Sequence, residues 1–363
     1  MKKTLFNEMH KKAGAKMVEF AGFEMPIQYP KGIIYEHHIV RKKVGVFDVT
    51  HMGEFEVRGK DALNFVQKIT VNDASKLTPG KVQYSAMCKP DGGIVDDLLV
   101  YRVSEDFFML VVNGANVEKD YKWCVENTAG FDLELKDVSD EVNLLAVQGP
   151  ESLKTLQKLT DVDLSQIVYY TFVPGKLAGF DMILSRTGYT GELGFELYFR
   201  GDLAVAEKVW NEVFAAGEEF GIEPVGLGCR DTLRLEKGFA LYGNDIDETT
   251  NTIEAGLGWI TKVDKGEFNG KSVIVDAKTN GTSRKLVPFV VNAERFIARH
   301  HYKIFADGKE IGFVTSGNLS PSLEKPIGMG YVTKEYAKFS TKIEIEARGK
   351  LFPAEVVKLP FLA

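Results

Sequence analysis

VQYSAMCKPDGGIVDDLLVYRVSEDFFMLVVN, residues 82–113, is the stretch whose reading decides the fold class. Its apolar runs VQYSAMC, IVDDLLVYRV and FFMLVVN have the length and the β-branched and aromatic content of strands. Between the first two, KPDGG sets Pro, Asp and Gly in turn positions. The stretch reads as a β-meander. Alternation along the middle strand places Asp97 with Val95, Leu99 and Tyr101 on one face, and Asp96 with Ile94, Leu98 and Val100 on the other. Both faces are otherwise apolar, so a carboxylate there has to be paired, hydrogen-bonded or protonated. Two readings of Asp97 stay open on periodicity alone. It is a site carboxylate that accepts a substrate N–H or takes its proton, or a strand-end Asp that caps the nearby turn.

Working outward, AGFEMPIQYP carries two prolines and is not a helix. IIYEHHIVRKKVG has helical spacing, with Gly45 as its stop. NVEKDYKWCVEN reads as a helix capped by Asn116 and ended by Gly130. NLLAVQG is a strand, and Pro150 opens the helix ESLKTLQKL at a position that needs no N–H. A second hairpin pairs FDMILSRT with FELYF across the glycine-rich GYTGELG. LAVAEKVWNEVFAAGEEF is an amphipathic helix closed by Gly221, and CRDTLRLEKG is a shorter one. Residues 276–283, DAKTNGTS, are small and polar and read as a linker. Short strands with an Asp307-Gly308 hairpin turn follow as a small β domain. The fold class is α+β with a β C-terminal domain.

At 363 residues the chain exceeds one typical core, and 44% hydrophobic with 26% charged residues is an ordinary globular mixture. The net charge of -6 argues against a general nucleic-acid binder. From residue 281 onward there are 13 Lys+Arg against 8 Asp+Glu, a surplus of +5 that leaves -11 for the rest. A basic C-terminal part on an acidic protein suits an acidic partner, and chance variation in surface composition is the plainer reading. The three cysteines, Cys88, Cys124 and Cys229, form no CxxC and read as reduced thiols. Neither a signal peptide nor a run of membrane-spanning length is found, so a cytoplasmic protein is expected. Walker, HExxH and GxSxG motifs are missing, and GLGCRD lacks the third glycine of a dinucleotide fingerprint. The adjacent pairs His37-His38 and His300-His301 are expected to point apart and to chelate poorly. No metal is expected.

Two further motifs carry chemistry. In SRTGYTGELGFEL, glycines 188, 191 and 194 permit a tight connection and close approach by a ligand. Tyr189 adds an aromatic face, and Glu196 a bidentate acceptor suited to an N–H/NH₂ edge. The plainer reading is a Gly-rich hairpin with Glu196 on its polar face. In GLGCRDTLRLEKG, Arg230 and Asp231 stand at a helix start, with Arg230 free to bind a carboxylate or to pair with Glu196. The plainer reading there is a capped amphipathic helix with Arg234 and Glu236 solvated.

Taken in order, MVEFAGFEMPIQY, FDVTHMGEFEVRG, YSAMCKPDGGIVDDLLVYRV, LLAVQGP, RTGYTGELGFEL, GLGCRDTLRLEKG and IGFVTSGNLSPSL closely resemble the glycine cleavage T-protein, or aminomethyltransferase, family. The resemblance runs from about residue 4 to 358. It implies a three-lobed α+β fold: a folate-binding region over 1–275, with a second lobe inserted at about 53–136, and a C-terminal β-barrel over 284–363. It implies tetrahydrofolate as co-substrate, a lipoyl-carrying H-protein as partner, and no metal, nucleic acid or membrane. Carried over by motif, Asp97 is the key acidic residue, Glu196 contacts the pterin and Arg230 completes the polar site. Met52, Tyr84, Tyr101, Asn113, Tyr170 and Tyr189 stand at positions that line the folate pocket in relatives. Phe239 replaces an aromatic hydroxyl common in relatives, and KLPFLA ends the chain without their basic tail. Two related readings are a folate-dependent demethylase of small methyl donors and a folate-binding iron–sulfur accessory protein. The latter's Lys-Gly-Cys motif reads KGFALYGND here, without the thiol.

Overall fold

The meander is present in a computed structural model that describes residues 1–293 and 296–362. The first elements are α1 (Asn7–Lys12), β1 (Lys16–Phe20), β2 (Phe23–Gln28), α2 (Ile33–Lys42), β3 (Gly45–Asp48), β4 (Gly53–Arg58) and α3 (Ala62–Ile69). Then come β5 (Lys81–Cys88), β6 (Ile94–Ser104), β7 (Phe107–Val112), α4 (Val117–Glu126), β8 (Glu134–Asp137), β9 (Asn143–Gln148) and α5 (Ser152–Gln157). β10 (Phe172–Leu177), β11 (Phe180–Ser185), β12 (Gly194–Phe199), α6 (Leu203–Gly217), β13 (Glu223–Pro224), α7 (Leu227–Lys237) and α8 (Lys271–Asn280) follow. The last strands are β14 (Arg284–Val291), β15 (Lys303–Ala306), β16 (Lys309–Ser320), β17 (Lys325–Thr333), β18 (Lys342–Ala347) and β19 (Lys350–Val356).

β5-β6-β7-β4-β8 form one sheet, β10-β11-β12-β9-β3-β13 a second, and β14-β17-β16-β15-β18-β19 a closed barrel. The α+β class and the C-terminal barrel are therefore as the sequence predicts. The chain forms two compact units. One holds residues 1–66, 74–84 and 98–231; the other holds 67–73, 85–97 and the chain from Thr232 onward. The hairpin β5–β6 thus has its base in the first unit and its tip in the second.

In the first unit the six-stranded sheet buries Val46, Leu145, Val147, Phe195 and Leu197 in one core with Ala206, Val209, Trp210 and Val213 of α6. The spacing of those α6 residues is one helical stripe, which is why this segment is a helix and which face it turns inward. Gly221, at φ 68, closes the segment through a short 3₁₀ turn, as expected. In the barrel the inward residues alternate: Val287, Phe289 and Val291 on β14, Ile343 and Ile345 on β18, and Ala354 with Val356 on β19. Asp307 and Gly308 both have positive φ, the geometry of a two-residue hairpin turn between β15 and β16.

Several local expectations are corrected. Residues 276–280 belong to α8 and are not linker, since Ile274 and Ala277 are buried at helical spacing while the polar residues occupy the exposed face. Only residues 281–283 separate α8 from the barrel. Gly45 does not stop α2, which ends at Lys42; it opens β3, where a Cβ would lie 2.6 Å from Val40 and 2.9 Å from Val225. Asn116 precedes α4 without a side-chain cap hydrogen bond, and α4 ends at Glu126, short of Gly130. Pro150 precedes the N-cap Glu151 and does not open α5. The histidines of each pair meet ring to ring, at 5.6 Å between centroids for His37 and His38 and 3.8 Å for His300 and His301. His301 has φ 67, and that turn of the backbone brings neighbouring rings together.

Candidate functional site

β12 carries Glu196 into the interior of the first unit, where it is 7% exposed. It stands opposite Ser185 of β11 and Ala146 of β9. Thr187 donates its hydroxyl hydrogen bond to Glu196 Oε2, and the Tyr198 hydroxyl donates to the same oxygen at 3.4 Å. The Tyr101 hydroxyl, from β6, lies 3.0 Å from Ser185 Oγ, 3.2 Å from Thr187 Oγ1 and 3.0 Å from the Tyr198 hydroxyl. A connected set of buried hydroxyls therefore ends on one carboxylate. Such a network holds a charge only while every member is satisfied. Burial pushes the Glu196 carboxyl above its usual range, while the Thr187 hydrogen bond and the nearby Arg230 charge pull it back.

Arg230 comes from the first turn of α7, and its guanidinium lies 4.8 Å from the Tyr189 ring centroid. The same cation acts on His51. Burial first, and then Arg230, depress that imidazole to about 4, so it is neutral at pH 7. His51 Nδ1 is buried without a hydrogen-bond partner. Tyr101, Tyr189, Glu196 and Arg230 are thus brought together as one carboxylate–cation–aromatic constellation. Glu196 shares its face of the hairpin with polar hydroxyls, but that face is buried.

The glycine-rich loop is held differently from expectation. At Gly188 and Gly194 a Cβ would lie 2.1 Å and 2.4 Å from side-chain atoms of Gln148. Gln148 donates to the carbonyls of Thr187 and Phe195 and accepts from the Thr190 hydroxyl at 2.9 Å. Those two glycines make room for a glutamine, not for a ligand. Gly191, at φ 75, alone meets a left-handed requirement.

Tyr170 is half-buried with φ 62, a strained conformation for an aromatic residue. It is held by backbone bonds from its own N–H to Arg186 O at 3.1 Å and from Val82 N–H to its carbonyl at 2.9 Å. Met52 and Asn113 are half-buried, just before β4 and just after β7, and Tyr84 is half-buried in β5. These residues all lie in the first unit, whereas Asp97 is the last β6 residue of the second. Asp97 is half-buried and Asp96 fully buried. Arg234 and Glu236 are not solvated. Arg234 Nη1 donates to Asp245 Oδ2 at 2.7 Å, and Glu236 accepts from Ser320 and Ser322.

Sequence reasoning missed Ser185, Thr187 and Tyr198, whose hydroxyls look like ordinary strand residues until the sheet aligns them. It also passed over His51 and Glu54, although both lie within FDVTHMGEFEVRG. Cys88, Cys124 and Cys229 are buried and form no disulfide among the described residues, and burial pushes the Cys88 thiol up to about 12. Among the described residues no group of His, Cys, Asp or Glu is placed to hold a metal ion. No helix among them is long and apolar enough to cross a membrane.

Comparison with known proteins finds relatives across nearly the whole chain. The family model described as GCVT N-terminal domain matches residues 6–265, and that of the glycine cleavage T-protein C-terminal barrel domain matches residues 284–362. The chain is 56% identical to an aminomethyltransferase of Bacteroides thetaiotaomicron, with 99% of each chain covered. It is 50% identical to one of Halothermothrix orenii over the full length of both. Among solved structures it is similar to the glycine cleavage system aminomethyltransferase T of Bartonella henselae. That match has a TM-score of 0.92 and 33% identity, and covers 99% of this chain and 98% of that one.

Proposed function

Since this chain belongs to the glycine cleavage T-protein family, we propose that it is an aminomethyltransferase that moves the methylene carbon of a lipoyl-bound aminomethyl group to tetrahydrofolate. The observation that carries the folate assignment is the buried Glu196 carboxylate, fed by Thr187 and Tyr198 and facing the Arg230–Tyr189 pair. An aminopyrimidine edge presents N–H donors, and the carboxylate oxygen left open accepts one of them in a charge-assisted hydrogen bond. An aromatic face beside a cation suits the flat ring. The residues present fit the group.

In this reading the methylene carbon leaves the carrier's sulfur and nitrogen and joins folate N5 and N10. The two N–H protons lost there equal the two gained by ammonia and the dihydrolipoyl thiol. Glu196 and Arg230 orient the pterin end. Met52, Tyr84, Tyr101, Asn113, Tyr170 and Tyr189 shape the rest of the folate site. Asp97 accepts a hydrogen bond at the reacting nitrogens and helps move the proton, an acid–base task. Much of the rate comes from holding two large substrates in register. The lipoyl H-protein is the carrier, the compartment is the cytoplasm, and no metal takes part. The folate site belongs to residues 1–275, with a second lobe inserted at about 53–136, and the barrel domain spans 284–363.

Incubation with aminomethylated lipoyl carrier protein and tetrahydrofolate tests the proposal. Ammonia and 5,10-methylenetetrahydrofolate in equal amounts are expected. Turnover of small methyl donors in place of the carrier would refute the assignment.

A further inference from the structure

β4 runs beside β7, and β7 beside β6, so register sets Glu54, Val111 and Leu99 in one row. The next row is Glu56, Met109 and Tyr101. Directly opposed residues of paired strands share a face, so Glu54 stands on the face that sends Tyr101 to Tyr198 and Thr187. The two glutamates of β4 differ sharply. Glu56 is paired with Arg58 and Arg200, each at 3.0 Å. Glu54 is 1% exposed, and neither carboxyl oxygen has a hydrogen-bond partner. Its backbone is satisfied by Ser139 Oγ at 3.0 Å, so only the side chain is left over.

We propose that Glu54 is a further folate-binding residue, meeting a mixed N–H and acceptor edge of the pterin with its carboxyl group. This rests on the folate reading above and adds a residue to that site. Burial and the charges of Asp137 and Glu196 hold the Glu54 carboxyl well above the usual range. In the protonated form, which its buried surroundings favour, the Glu54 carboxyl offers one O–H donor and one C=O acceptor. At Glu196 the nearby Arg230 charge favours the ionised form. The two acids divide the work as a neutral donor–acceptor and a charged acceptor. An unpartnered buried carboxyl destabilises the free protein, a cost typical of residues kept for function.

Tetrahydrofolate affinity and melting temperature of the wild type, Glu54→Gln and Glu54→Leu test this. Glu54→Leu is expected to weaken binding about ten- to a hundredfold, while melting at or above the wild-type temperature. Glu54→Gln keeps a donor and an acceptor and is expected to lose clearly less. Infrared difference spectra at pH 7 provide a second readout: a protonated-carboxyl C=O band that shifts on tetrahydrofolate binding and is lost in Glu54→Gln. If Glu54→Leu binds within twofold of the wild type, or the band ignores the ligand, the inference falls. Equal losses in both variants would sink the neutral-acid role. A wild type that binds no tetrahydrofolate refutes the folate reading itself, an outcome separate from all of these.

Discussion

Glu196→Gln replaces one carboxyl oxygen with an NH₂ group and otherwise keeps the shape. In the wild type, Oε2 already accepts from Thr187 and Tyr198, so Oε1 and the carboxylate's charge remain for a ligand N–H. The amide turns a donor toward those donors, and the Arg230 charge loses its counter-charge. A hydrogen bond to a charged group contributes about 1.5–3 kcal/mol, so the dissociation constant for tetrahydrofolate should rise about 10- to 150-fold. A ligand at a hundred times the wild-type dissociation constant stabilises by about 2.7 kcal/mol; after a tenfold loss the same concentration adds only about 1.4 kcal/mol. Titration calorimetry and thermal melts with and without tetrahydrofolate read both quantities. The pH dependence has a definite sign. Burial raises the Glu196 carboxyl, so the folded protein holds its proton at higher pH than the unfolded chain, and ionised Glu196 costs stability above that range. In ligand-free Glu196→Gln the relief of that cost opposes the loss of the Arg230 counter-charge, so the expected signature is a melting temperature that depends less on pH than the wild type's. Wild-type affinity should fall as pH drops through the raised carboxyl range, whereas that of Glu196→Gln should stay flat. Unchanged affinity at pH 7, or equal acid sensitivity in both proteins, would refute the reasoning.

Asp97→Asn is expected to lower turnover by roughly 10²–10⁴-fold with the fold intact, whereas Asp96→Asn, on the other face of β6, should lose stability more than turnover; equal activity losses would defeat the face assignment. Asp48 accepts from Thr4 at 2.6 Å, His10 at 3.0 Å and the Thr50 N–H at 3.0 Å. Burial opposes, but His10, Thr4 and Thr50 hold its carboxyl below the usual range, so it stabilises above the unfolded carboxylate range and that stability is lost as pH falls through the folded value. Asp48→Asn should thus lower the melting temperature at pH 7 by the equivalent of about 1–3 kcal/mol, a gap that closes below about pH 4; a gap that is constant with pH counts against the ionised role. If the +5 surplus from residue 281 onward helps to dock an acidic carrier, the carrier's KM should rise with ionic strength, and a flat KM removes that argument.

Much of the architecture was legible in local chemistry. The 82–113 meander, the α6 stripe and the Asp307-Gly308 turn rest on alternation, helical spacing and turn-residue geometry, which are properties of short segments. Motif order alone placed Asp97, Glu196 and Arg230 in a folate-binding family. Tertiary structure decided what those residues meet. Gln148 fills the space beside Gly188 and Gly194, a contact between segments about forty residues apart that composition does not register. Tyr101 reaches Ser185 and Tyr198 only because two sheets come together, so its hydroxyl became a member of the Glu196 network. The polar run at 276–280 looked like linker because its buried partners, Ile274 and Ala277, repeat at helical spacing across the supposed boundary. Glu54 and Glu56 are the same residue two positions apart, with the same local pattern. Only the packing of strands and side chains around β4 gives one of them arginines and leaves the other buried without a hydrogen-bond partner.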